Sequence, residues 1–155
     1  MTVRAMSAAP LPARSPAGGW VLDASVTLPW FFPDEASRFT EGLLDALGAQ
    51  PLWAPALWVL ECTNVLQSAQ RRGRIDAARR AEIVDQLGAL PVRVDHEPLK
   101  FTTIDRLASV HGLSAYDAVY LELALRRSLT LVSLDARLLG AARRLGHPML
   151  TAEPA

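Results

Sequence analysis

Residues 113–125 read LSAYDAVYLELAL. Coiled as a helix, this stretch places Asp117, Tyr120, Leu121, Ala124 and Leu125 at i, i+3, i+4, i+7 and i+8, the spacing of one buried stripe. The first member of the stripe is a carboxylate. Burying an unpaired negative charge is costly, so Asp117 has to be neutralised, capped by backbone donors, or turned towards a cation. A purely local account exists: Ser114 through Asp117 fits a capping box, with Ser114 as N-cap and the acid near the positive end of the helix dipole.

Outward from this helix the chain alternates. On its C-terminal side, residues 129–134 are a buried-strand candidate ending in Asp135, with Ser133 two residues before it and so on the same side. A further helix is expected over residues 136–145, and a short edge strand at Met149-Leu150. On its N-terminal side, Gly112 stops a helix expected to open at Pro98, and residues 91–95 (PVRVD) alternate like a strand. Further back, Ile75 to Leu87 forms an amphipathic helix entered through Arg71, Arg72, Arg74, Arg79 and Arg80, a charge run that reads as a solvated face.

A long helix is expected from the first turn at Pro55 to about Arg72, after the strand candidate Leu52-Trp53-Ala54. It carries Glu61 on a largely apolar surface, with Asn64 close enough in angle to hydrogen-bond it. The first strand candidate is Trp20-Val21-Leu22, followed by Asp23-Ala24-Ser25 and helical segments up to Phe32 and over Asp34 to Leu47. Strands alternating with helices in this way imply an α/β fold with a parallel sheet covered on both faces. In such sheets sites form beyond the carboxyl ends of the strands. Asp23 and Asp135 fall there, though either acid also suits plain helix capping.

The 155 residues, half of them hydrophobic, suffice for one core: a single domain over residues 20–150, an Ala/Pro-rich disordered extension over residues 1–19 and a tail over 151–155. Sixteen basic and sixteen acidic residues cancel, which argues against a strongly basic nucleic-acid binder. Cys62 is the only cysteine, so an intrachain disulfide and a cysteine-rich zinc site are excluded, in keeping with a cytoplasmic protein. The longest uncharged apolar run, residues 51–60, falls well short of the roughly 20 residues a membrane span needs. His96, His111 and His147 show no ligand spacing and read as surface or loop residues.

Asp23, Glu61, Asp117 and Asp135 are therefore candidates for one pocket, with Ser25, Asn64 and Ser133 supporting. Clustered carboxylates repel, and their ionised form is stable only beside a cation. All-oxygen ligation points to Mg²⁺ or Mn²⁺ and, through such an ion, to a phosphodiester substrate. The chain has no phosphate loop of the G-x-x-x-x-G-K-[ST] type, no G-x-G-x-x-G fingerprint and no G-x-S-x-G elbow.

Four segments, VLDASVTLPWFFPDE, ALWVLECTNVL, LSAYDAVYLELAL and LTLVSLDARLLGAARRLG, resemble in order and spacing the acidic motifs of the PIN-domain family, most closely its VapC-type toxin branch. The resemblance covers residues 20–150. It implies a three-layer α/β/α fold and a Mg²⁺- or Mn²⁺-dependent ribonuclease. Asp23, Glu61, Asp117 and Asp135 match the four motif acids in turn, and Ser133 the small hydroxyl residue before the last. It also implies an antitoxin protein partner and homodimerisation; Trp30, Phe31, Phe32, Trp53 and Trp58 could supply such surfaces, although large aromatics more often belong to the core. Two other classes remain open from the residues themselves: a catalytically quiet binding module whose acids only cap helices, and a metal-dependent nuclease acting on DNA.

Overall fold

The computed structural model describes residues 18–152, so residues 1–17 of the extension expected over 1–19, and the last three residues of the tail, lie outside it. Five short strands alternate with helices: β1 (Trp20–Leu22), β2 (Leu52–Pro55), β3 (Val92–Asp95), β4 (Thr130–Val132) and β5 (Met149–Leu150). Among the described residues they form one sheet in the order β3-β2-β1-β4-β5, and every pairing is parallel. The helices are α1 (Ala24–Thr27), α2 (Arg38–Asp45), α3 (Ala56–Arg71), α4 (Ala77–Ala89), α5 (Phe101–His111), α6 (Ala115–Arg127) and α7 (Ala136–Arg144).

The strand order sets the position of any site. The chain runs outward from β1 through β2 to β3, then returns to lay β4 on the other side of β1. The connections after β1 and β4 therefore diverge and leave a crevice at the carboxyl ends of these two strands. Alternating side chains divide the core: Trp20 and Leu22 pack with Val26, Leu43, Leu52 and Val132, whereas Val21 and Leu131 pack with residues of α3, α6 and α7 such as Leu66, Leu121 and Leu138. At the start of β1, a Cβ on Gly19 would lie 2.8 Å from the Pro51 carbonyl oxygen, so only glycine admits that close approach.

Several expected boundaries move, and capping explains the shifts. The helix expected from Asp34 is instead a 3₁₀ turn (Pro33–Glu35) followed by α2. Ser37 and Thr40 form a reciprocal capping box that fixes α2's start, while Asp34 and Glu35 turn to Arg74 at 2.6 and 2.7 Å. The helix expected from Ile75 starts two residues later because the Asp76 side chain accepts from the Arg79 N–H. Pro55 ends β2 and N-caps α3 rather than occupying its first turn. Helix α5 starts at Phe101, not Pro98, and ends as expected at Gly112, whose left-handed φ of 64° suits a residue without Cβ.

Of the two places open to the aromatic residues, core and partner surface, the structure puts them in or against the core. Phe31, Phe32 and Trp58 are buried and Trp30 and Trp53 half-buried. The indole N–H groups of Trp30 and Trp58 donate to the Thr40 carbonyl and the Thr27 hydroxyl. Leu125, expected within the buried stripe of α6, lies at the exposed end of that stripe (36 % exposed).

Candidate active site

Asp23 is the first residue after β1 and is buried, 8 % exposed. Its Oδ2 accepts hydrogen bonds from the Ser25 hydroxyl at 2.7 Å and from the Ser133 hydroxyl at 2.8 Å. Ser133 follows β4, so this contact spans the switch point between β1 and β4. Ser133 in turn accepts from the Asp135 N–H, and Ser25 from the Leu134 N–H, both at 2.9 Å. The strand expected over residues 129–134 narrows to Thr130–Val132; the Ser133 N–H still bonds the Leu150 carbonyl while the Leu134 N–H turns to the Ser25 hydroxyl. Thr27 donates to the Asp23 carbonyl. Even with two hydroxyl donors, burial raises the Asp23 pKa above the ordinary carboxylate range, and the Asp135 charge adds to the rise.

Glu61 lies two turns into α3 and is partly buried. Its Oε2 accepts a hydrogen bond from the hydroxyl of Tyr120, on α6. Burial, opposed by that hydrogen bond and reinforced by the charges of Asp23 and Asp117, raises the Glu61 pKa. Asp117 sits in the first turn of α6. Ser114 caps the helix, accepting from the Asp117 N–H at 3.0 Å while donating to Asp117 Oδ2 at 2.7 Å. Asp135 caps α7 by accepting from the Leu138 N–H at 2.8 Å. Capping therefore accounts for Asp135 through its own oxygen, whereas in α6 it falls to Ser114.

The Asp135 charge thus acts on Asp23, and the charges of Asp23 and Asp117 act on Glu61, which links the four acids pair by pair. Among the described residues, no lysine, arginine or histidine forms an ion pair with any of them; the paired acids are Asp34, Glu35, Glu82, Asp95, Glu97 and Glu122. Nor do any three Asp, Glu, His or Cys side chains among the described residues stand disposed to hold an ion directly. The site is a coupled acid cluster rather than a closed chelate. In donor type and uncompensated charge it fits a hard divalent cation. Asn64 is exposed and makes no hydrogen bond to Glu61, so the structure does not bring it to the acid.

Sequence reasoning missed the role of Tyr120. The signal was present: a tyrosine on a buried stripe needs a partner for its hydroxyl. The cluster is also distinct from a cleft of about 380 Å³ lined by Lys100, Arg106, Glu122 and Arg126. There Arg126 is already bonded to Asp95, Glu97 and Glu122, which makes the cleft a gap beside an ion-pair network.

The PIN-domain family model matches residues 20–144, the whole of the chain from β1 to α7. The chain belongs to the PIN-domain family. The structure of PAE2754 from Pyrobaculum aerophilum is similar, with a TM-score of 0.60 and 25 % identity over 81 % of this chain and 86 % of that one. A search of curated proteins finds no significant match. PIN domains are typically metal-dependent nucleases, and in this one Asp23 and Asp135 follow β1 and β4, the adjacent strands of the switch point. Among the described residues, no helix is long and apolar enough to cross a membrane.

Proposed function

We propose that this PIN domain is a metal-dependent endoribonuclease that hydrolyses RNA phosphodiester bonds, acting in the cytoplasm as the toxin of a toxin–antitoxin pair. The observation that carries the reading is the acid cluster without a cationic partner, built at the switch point of a PIN fold. Asp23 and Asp117 are the residues to hold Mg²⁺ or Mn²⁺ directly. Glu61 and Asp135 complete the set directly or through water; the engagement of Asp135 Oδ1 with the Leu138 N–H favours water for that residue. When bound, such an ion supplies positive charge against the charge developing on the phosphodiester and lowers the pKa of an attacking water.

The chain's own residues do the rest. Ser25 and Ser133 hold Asp23 Oδ2, fixing the orientation of the most buried acid. Burial and mutual repulsion raise the pKa values of Asp23 and Glu61, so positive charge beside them would favour the ionised form of both. The toxin role rests on the motif resemblance, and with it an antitoxin partner and a homodimer. An apolar cleft between α3 and α4, lined by Trp58, Val59, Cys62, Leu66, Val84 and Leu87, suits the apolar side of a protein partner. The arginines near α4 lend the RNA reading little support, since Arg74, Arg79 and Arg80 are bonded to Asp34 and Glu35, Glu82, and Gln70.

The test is cleavage of mixed structured RNAs and a matched single-stranded DNA with Mg²⁺, Mn²⁺ or chelator, beside the Asp117→Asn variant. RNA cutting that needs metal and falls at least about a hundredfold in the variant is expected. Cutting of the DNA alone would replace RNA by DNA as substrate. No cutting, with melting unchanged by either metal, would make the protein a quiet binding module.

A further inference from the structure

Tyr120 is fully buried on α6, within the motif helix, yet its hydroxyl reaches across to Glu61 on α3, a residue 59 positions earlier. The bond uses Oε2 of the carboxylate. Among the described residues Oε1 has no hydrogen-bond partner, and Glu61 has no cation. Two helices are thus joined by one phenol, which ties down half of a carboxylate and leaves the other half available.

We infer that Tyr120 is a positioning residue for the divalent cation: its buried hydroxyl holds Glu61 Oε2 and leaves Oε1 to reach the ion through water. The inference rests on the metal-site reading above. A glutamate has three side-chain torsions and, on a helix surface, samples many rotamers; a fixed donor selects among them before the ion arrives. Partners that orient metal-binding carboxylates in this way change metal affinity by about ten- to a hundredfold when removed. The aromatic ring itself is core, in the same buried cluster as Ala124 of α6 and Cys62 of α3. Replacing it by phenylalanine removes the hydroxyl and keeps the packing.

The experiment is Mn²⁺ binding by titration calorimetry to the full chain, with thermal melting of the metal-free protein, for wild type, Tyr120→Phe, Glu61→Ala and the double variant. Wild type is expected to bind Mn²⁺. Tyr120→Phe should raise the Kd about tenfold with metal-free melting within a few degrees of wild type, and should change nothing further in the Glu61→Ala background. An unchanged Kd in Tyr120→Phe would overturn the inference while leaving the metal site intact. The same rise with and without Glu61 would also overturn it, because the hydroxyl would then act elsewhere. Absence of Mn²⁺ binding by wild type would overturn the metal-site reading and this inference together.

Discussion

Burial works against the charge of Asp23. Two serine hydroxyls donate to the carboxylate, yet its pKa stays above the ordinary range because no cation offsets the lost hydration. A carboxyl with a folded pKa above its unfolded value binds its proton more tightly in the native state. Native stability from that proton is present at low pH and is lost as pH rises from the unfolded pKa through the folded one. Asp23→Asn should therefore raise the metal-free melting temperature near neutral pH, by roughly 3 °C for each kcal/mol of burial cost relieved. The gain should shrink as pH falls through the folded pKa towards the unfolded one, because wild-type Asp23 then takes up its proton as well. Scanning calorimetry across that range, with chelator, tests this; a variant less stable than wild type at neutral pH would contradict it. Cys62 shares the apolar side of α3, where burial pushes its thiol up to about 12, so it stays protonated and unreactive.

At the scale of the element, α6 separates capping from the acid's other work. Ser114 accepts the Asp117 N–H, and Asp117 contributes a carboxylate near the helix N-terminus without accepting a backbone bond of its own. Ser114→Ala should cost about 1 kcal/mol in urea unfolding. Asp117→Asn should cost less than Ser114→Ala and yet remove metal-dependent cleavage. Equal stability losses with activity retained would return Asp117 to a structural role. The same capping chemistry explains where element boundaries were legible. Gly112 and Ser114 mark α5's end and α6's start in the sequence itself. The Ser37–Thr40 box and the Asp76 cap were equally local, but neighbouring acids and the amphipathic pattern drew the expected starts of α2 and α4 to earlier residues.

At the scale of the whole molecule, the end of β3 is tied to the end of α6. Asp95, buried at 8 % exposed, takes Arg126 at 2.7 Å on one oxygen and Arg127 at 2.7 Å on the other. Burial pushes its pKa up, but hydrogen bonds from Arg126 and then Arg127 outweigh this and hold it below the ordinary range. Arg127 also lies 4.1 Å over the Trp53 ring on β2. The last turn of the motif helix is thus anchored to the sheet edge, which helps hold its first turn over the crevice. Asp95→Ala leaves two arginines without this partner and should cost about 3 kcal/mol, measured by urea unfolding at neutral pH. With a depressed folded pKa, the Asp95 contribution is present above the unfolded pKa and is lost as pH falls through the folded one, so the variant's deficit should narrow in acid.

Local sequence was enough for the kind of fold and for where each acid sits along the strands and helices. Strand and helix periods follow from side-chain alternation over a few residues, and an acid placed just past a strand or in the first turn of a helix is visible without any distant contact. The order of the strands, and hence the crevice between β1 and β4, was decided only by tertiary packing. So were the partners that give each acid its character: Ser133 with Asp23 across 110 positions, and Tyr120 with Glu61 across 59. Asn64, one helical turn from Glu61, looked the nearer partner by angle, yet it faces solvent, whereas the distant Tyr120 hydroxyl is buried against the acid. The physical reason is desolvation. A buried polar group takes whichever partner the packed interior brings to it, and chain separation says nothing about which one that is.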